Sequence, residues 1–170
     1  MSTRLRRLSI LVASWNGRKH LEICLPAVAA QRDPGCEWEL LLLDNGSRDG
    51  TADWVREHHP WVRLVPSPTN LGFAAANNRL ADLAEGDFLI LLNNDTHPAP
   101  DWLATLADAA GTAAPDVAAI AGRLVDWEGE RLDFGYGVRT FDGHAFQLDF
   151  RRSLKKARLP ASGEELAFAC

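Results

Sequence analysis

Two carboxylates stand where apolar, strand-like runs give out. Asp44 closes the run WELLLLD and Asp95 follows LILLNN. Apart from Glu39 the first run is apolar, and a carboxylate at its end can accept a hydrogen bond from a ring N–H such as that of uracil or thymine. Burial there demands such a partner. The second carboxylate is placed to hold a hard divalent cation, Mg2+ or Mn2+, which takes oxygen ligands and commonly bridges one or two carboxylates to substrate phosphates.

Polar residues gather at four places along the chain: Ser14, Trp15, Asn16 and Gly17; the stretch from Asp44 to Thr51; Asn70, Leu71 and Gly72; and Asn93, Asn94, Asp95 and Thr96. Taken singly, each reads as a turn or a helix cap, with Asp49 for instance capping the following helix. Taken together they follow four successive apolar runs, and that regularity favours one shared site.

The elements that would position them are short apolar runs at residues 8–14, 38–44, 62–65, 88–93 and 117–121, suited to strands buried on both faces of a parallel sheet. Helical spacing lies between them, in Leu21, Cys24, Leu25 and Val28, then Trp54 and Val55, then Phe73, Ala76, Leu80 and Leu83, then Trp102, Leu103 and Leu106. Strict alternation predicts an α/β fold, a mostly parallel sheet flanked by helices with its ligand site at the carboxyl ends of the strands. Pro26 conflicts with the first helix and predicts a kink or a late start. After Asp126 the alternation weakens; residues 127–130 read as a hairpin turn and residues 151–163 as a basic, mobile connection.

A chain of 170 residues with 46% hydrophobic and 24% charged residues suits a globular core. The formal net charge of -5 argues against nucleic acid as a partner. Two basic groups, Arg4, Arg6 and Arg7 and then Arg151, Arg152, Lys155, Lys156 and Arg158, are either solvated charge or a peripheral membrane contact. Cys24, Cys36 and Cys170 match no metal or redox spacing and read as thiols of a reducing, cytoplasmic compartment, at most at the inner face of the membrane. The amino-terminal apolar run is too short for a signal peptide or a membrane span and reads as a buried strand.

The strings ILVASWNG, LLLDNGSRDGT, NLGFAAANN, FLILLNNDT and PDWL resemble, in order and spacing, the nucleotide-binding segments of family 2 glycosyltransferases, rhamnosyltransferase-like bacterial members in particular, over residues 8–125. The resemblance implies a GT-A type fold and inverting transfer of a sugar, rhamnose among the candidates, from a UDP- or dTDP-linked donor to a glycan or lipid-linked acceptor in polysaccharide synthesis. It places the base on Asp44, lines the nucleotide pocket with Ser14, Trp15 and Asn16, and closes the segment bearing Asn70, Gly72 and Asn77 over it. Asn93, Asn94 and Asp95 stand where the family carries an Asp-x-Asp metal motif. Asn93 replaces the first aspartate, which leaves Asp95 as the principal protein ligand.

By the same resemblance residues 1–125 form the nucleotide-sugar portion, and residues 126–170 begin an acceptor portion that stops before completion. The general base is then expected beyond Cys170, because residues 164–170 look like the start of the segment that precedes it; a base inside the chain would have Asp126, Glu128 or Asp133 as candidates. Apolar surface left uncovered would invite self-association. A nicotinamide-dependent oxidoreductase is disfavoured because residues 14–19 lack G-x-G-x-x-G, and a phosphate-loop nucleotidase because G-K-[ST] is missing. A non-catalytic module that binds a nucleotide or nucleotide sugar is the alternative.

Overall fold

The computed structural model describes residues 7–135, 137–139, 141–142 and 144–158. The chain divides into two compact units, Met1–Thr112 and Ala113–Cys170. In the first unit strands and helices alternate: β1 (Arg7–Ser14), α1 (Arg18–Ala29), β2 (Glu37–Asn45), α2 (Thr51–His58), β3 (Arg63–Ser67), α3 (Phe73–Leu83), β4 (Phe88–Leu91) and α4 (Trp102–Thr112). The four strands form one sheet in the order β3-β2-β1-β4, and every pairing is parallel. The expected fold class is therefore present.

Why the central strands are apolar over most of their length is clear from their two faces. Leu8, Ile10, Val12, Leu40, Leu42 and Ile90 pack with Leu21, Cys24, Leu25 and Val28 of α1, Val55 of α2 and Leu103 of α4. Leu11, Leu41, Leu43 and Val65 pack on the other side with Ala76 and Leu80 of α3. Helices on both faces leave a central strand no solvent side, so alternation in polarity disappears.

Helix α1 runs through Pro26 without a late start. An interior proline costs about 3 kcal/mol, whereas Leu21, Leu25 and Val28, fully buried, contribute about 1.5–3 kcal/mol each. Pro26 itself faces solvent near the end of the helix, where water can satisfy the carbonyl it leaves unpaired.

Residues 117–121 do not form the expected fifth strand. Only Val117 and Ile120 in that run are β-branched, Val117 is 47% exposed, and alanine supports a strand poorly. The expected fourth strand also stops two residues early, at Leu91 rather than Asn93.

The second unit has β5 (Leu124–Val125) paired antiparallel with β6 (Leu132–Phe134), and β7 (Gly137–Arg139) paired antiparallel with β8 (Ala145–Gln147). The turn expected at residues 127–130 is present. Gly129 takes a left-handed φ of 69°, and Asp126 Oδ1 accepts from the amides of Glu130 at 2.9 Å and Arg131 at 3.0 Å. The expectation of a loose basic connection fails through residue 158. Arg151 N–H donates to Leu132 O at 2.8 Å, Leu132 N–H to Arg152 O at 2.9 Å, and Leu154 N–H to Glu130 O at 2.9 Å. Residues 159–163 lie outside the described residues.

Candidate functional site

Parallel pairing brings the strand ends together by register. Ser14, the last residue of β1, stands opposite Asp44 of β2, and Asp44 stands opposite Pro66 of β3. Ser14 is 2% exposed and Asp44 is 5% exposed, so both side chains sit in the floor at the carboxyl edge of the sheet. Asp44 Oδ1 accepts a hydrogen bond from Ser47 N–H at 3.3 Å. Among the described residues its other oxygen accepts no hydrogen bond. Among the described residues the one enclosed side-chain N or O atom without a partner is Arg7 Nε, so the second oxygen of Asp44 is not sealed away from solvent.

The fourth strand end joins through Asn94, whose Nδ2 donates to Ser14 Oγ at 2.9 Å. Gly17, which caps α1, lies so close that a Cβ there would strike both Asn94 Nδ2 and Ser14 Oγ. Glycine is thus required by close approach rather than by dihedral angle, since its φ is -108°.

Asn16 ties the first cluster to the second. It adopts φ 48°, a left-handed conformation that asparagine tolerates better than most residues. Its amide donates to Ser47 Oγ at 2.9 Å and its Oδ1 accepts from Arg48 N–H at 2.8 Å. Asp49 ties the starts of two helices, accepting from Arg18 N–H at 3.1 Å, Thr51 N–H at 3.1 Å and the Thr51 hydroxyl at 2.5 Å. Burial would raise the Asp49 pKa, yet the Thr51 hydroxyl and these amides hold the carboxyl below its ordinary value.

Asn45 organises the third cluster. Its Nδ2 donates to Asn70 Oδ1 at 3.0 Å and to Gly72 O at 3.4 Å, and its Oδ1 accepts from Leu71 N–H at 2.7 Å. Asn70 Oδ1 also accepts from Gly72 N–H at 2.8 Å. Gly72 holds φ 79° with ψ 173°, a region essentially confined to glycine. Gly46 completes the brace: a Cβ there would lie 2.9 Å from the Thr69 carbonyl carbon.

Ser14, Asn16, Asp44, Asn70, Gly72 and Asn94 therefore belong to one connected edge, with Asn93 and Asp95 on either side of Asn94. The Asn93 carbonyl accepts from Thr96 Oγ1 at 2.7 Å. The buried Cys24 thiol lies 4.0 Å from both Asn93 O and Thr96 Oγ1, and burial, with Asp95 adding its charge, pushes that thiol up to about 11. Trp15 is 57% exposed beside the edge. Asn77, on α3, donates its Nδ2 to Phe73 O at 3.0 Å within its own helix.

Gly17, Asn45, Gly46 and Asp49 fall within the clusters that spacing picks out, but spacing does not show what they hold. Each acts on a segment distant in sequence, and each reads as an ordinary turn residue until its partner is known. Asp126, by contrast, is engaged as a turn cap, and the Arg131 amide holds its carboxyl below the ordinary range.

For a cation, Asp95 offers one exposed carboxylate, and no group of three or more His, Cys, Asp or Glu converges among the described residues. That donor set fits a hard cation taking its remaining oxygens from water and a diphosphate.

The profile of Glycosyl transferase family 2 matches residues 9–160. The chain belongs to that family. Among curated relatives, the glycosyltransferase AglE of Haloferax volcanii is 28% identical over 80% of this chain and 42% of its own length. The N-acetylglucosaminyl-diphospho-decaprenol L-rhamnosyltransferase of Mycobacterium tuberculosis is 32% identical over 61% of this chain and 36% of its own. The chain thus spans less than half the length of these relatives. Among solved structures, the mannosyltransferase PcManGT from Pyrobaculum calidifontis, in complex with GDP-Man and Mn2+, aligns at TM-score 0.58 and 31% identity over 68% of this chain and 34% of its own. S. aureus TarS 1-349 in complex with UDP-GlcNAc aligns at TM-score 0.52 and 29% identity over 61% of this chain and 30% of its own. Family 2 membership agrees with the parallel, helix-covered sheet, and the edge bearing Asp44 and Asn94 is where such a sheet places its ligands.

Proposed function

We propose that the carboxyl edge of the sheet binds the nucleoside diphosphate of a sugar donor, and that the protein to which this chain belongs transfers that sugar to an acceptor with inversion. The observation that carries this reading is the convergence of Ser14, Asp44, Asn45, Asn70 and Asn94 through register and hydrogen bonds at one edge. The nucleotide sugars in the TarS and PcManGT complexes support it.

In this reading the second oxygen of Asp44 accepts the ring N–H of a uracil or thymine base. The Ser14 hydroxyl, which accepts from Asn94, keeps its own hydrogen to donate to the nucleotide. Trp15 lies along it, and the braced loop at Asn70 and Gly72 closes its far side. Asp95, flanked by the Asn93 and Asn94 amides, would hold a divalent cation together with the diphosphate. When bound, the cation would offset charge on the leaving diphosphate. The name of the rhamnosyltransferase relative supports rhamnose as the sugar and a lipid-linked acceptor.

Calorimetric titration of the 170-residue chain with uridine, thymidine, guanosine and adenosine diphosphates, each with and without manganese, tests the reading. Saturable binding that prefers a pyrimidine and tightens with manganese is expected. Failure of all four nucleotides to bind would sink it.

A further inference from the structure

Residues 149–158 form a fixed strap on the second unit. Beyond the backbone bonds to Glu130 and Leu132 described above, Asp149 Oδ1 accepts from the Arg152 guanidinium at 2.5 Å and its Oδ2 from Arg158 N–H at 2.6 Å. Asp149 and Arg151 hold left-handed φ values of 55° and 61°. Such conformations persist in non-glycine residues only where the surroundings over-determine them. The strap is therefore preorganised rather than loose.

What it displays is basic and aromatic together. Arg151, Arg152, Lys155, Lys156 and Arg158 are all exposed, and Asp149 is the one acidic residue in the stretch. Arg152 engages that carboxylate. Arg151 reaches Asp133 at no closer than 4.0 Å. Lys155 and Lys156 make no ion pair with any described residue. Phe150 is 57% exposed with the Arg151 guanidinium 5.4 Å over its ring. The hairpin to which the strap is bonded carries Trp127, itself 66% exposed.

We propose that this strap is a docking surface for an anionic phospholipid bilayer. Solvated charge alone accounts for the lysines but not for the apolar ring of Phe150, more than half exposed beside them. Phenylalanine and tryptophan on a basic peripheral segment bury at the boundary of headgroups and acyl chains, while arginine and lysine reach lipid phosphates. A nucleic acid would meet the overall charge of -5 and gain nothing specific from Phe150. Among the described residues no helix is long and apolar enough to cross a membrane, so the contact made here lies on the surface. The proposal is independent of the nucleotide reading.

Sedimentation of the 170-residue chain with vesicles of phosphatidylcholine alone, or of phosphatidylcholine and phosphatidylglycerol, tests it. Binding to the anionic vesicles only, weakened by salt, is expected, with about fivefold loss for each strap lysine removed. Lys155→Gln with Lys156→Gln should thus bind about twenty-five-fold more weakly. Phe150→Ser should also bind more weakly, and circular dichroism should report both variants folded as the parent is. Equal binding to neutral vesicles, no binding to either, or full binding by the variants would overturn the proposal. So would equally tight binding to duplex DNA that ignores Phe150→Ser.

Discussion

Asn94 donates its side-chain amide to the Ser14 hydroxyl at 2.9 Å, joining the end of β1 to a turn eighty residues away. Gly17 fits against this bond with no room for a side-chain carbon. Gly17→Ala should therefore displace Asn94 or Ser14 and destabilise the fold by about 1–3 kcal/mol, the usual cost of overpacking. Adding Asn94→Ala should restore part of that loss in urea unfolding. A double variant no more stable than Gly17→Ala alone would assign the strain elsewhere.

Asp44 has one long internal hydrogen bond, from Ser47 N–H at 3.3 Å, so it supports little of the fold. Asp44→Ala should unfold near the parent midpoint. A hydrogen bond to a charged group contributes about 1.5–3 kcal/mol, so uridine diphosphate should bind roughly tenfold to a hundredfold more weakly, and preference over adenosine diphosphate should vanish. Unchanged base preference in competition titrations would remove Asp44 from the base-reading role.

Asn45 and Asn70 act as one device, bonded at 3.0 Å. Asn45→Ala strands the Leu71 amide and should cost about 1–3 kcal/mol. A double-mutant cycle with Asn70→Ala should give a coupling of about 0.5–3 kcal/mol, as residues in direct contact do. Additive losses within about 0.5 kcal/mol would mean that the loop is held by other contacts.

Much of this arrangement was legible in the chain itself, for reasons visible in particular residues. The runs ending in Ser14 and Asp44 are apolar because helices cover both sheet faces, and the polar residues that follow must then sit at the edge. Leu21, Cys24, Leu25 and Val28 repeat at helical spacing and are fully buried. Asn45 was not legible as a brace, because its bonds reach residues 25 to 27 positions away. The strap at 149–158 was hidden similarly: its order comes from backbone bonds to Glu130 and Leu132 that no local pattern encodes. Residues 117–121 misled because a mostly alanine run imitates an apolar strand without the branched side chains that stabilise one.

At the opposite end of the sheet, Glu39 accepts from Ser9 Oγ at 2.7 Å and Glu85 N–H at 2.8 Å, with Arg7 at 3.5 Å and Arg63 at 3.7 Å. Burial would raise its pKa, but the Ser9 hydroxyl, the Glu85 amide and the two arginines together bring it below the ordinary 4.5. A carboxyl with a depressed folded pKa stabilises the fold above its unfolded value, and that contribution is lost as pH falls through the folded value. Glu39→Gln should consequently be less stable than the parent at pH 7, and the gap in urea midpoint should narrow below pH 4.5. A gap independent of pH would show that the charge of Glu39 contributes nothing.

Asp95 gives the test that separates cation binding from nucleotide binding. Its carboxylate is exposed, and the turn that carries it is fixed from below by Thr96 on the Asn93 carbonyl and by the buried Cys24 thiol. Asp95→Asn removes one negative charge while preserving size, so neither the turn nor the thermal midpoint should change appreciably. A neutral amide is a far weaker ligand for a hard cation than a carboxylate. Uridine diphosphate without metal should then bind parent and variant alike, because Asp44 and Ser14 are untouched. The two should diverge only on adding manganese, which should tighten binding to the parent by about tenfold, worth about 1.4 kcal/mol, and leave the variant nearly unaffected. Equal enhancement in both would place the cation on the diphosphate alone or on another side chain. Weaker binding of the variant even without metal would instead make Asp95 part of the nucleotide pocket.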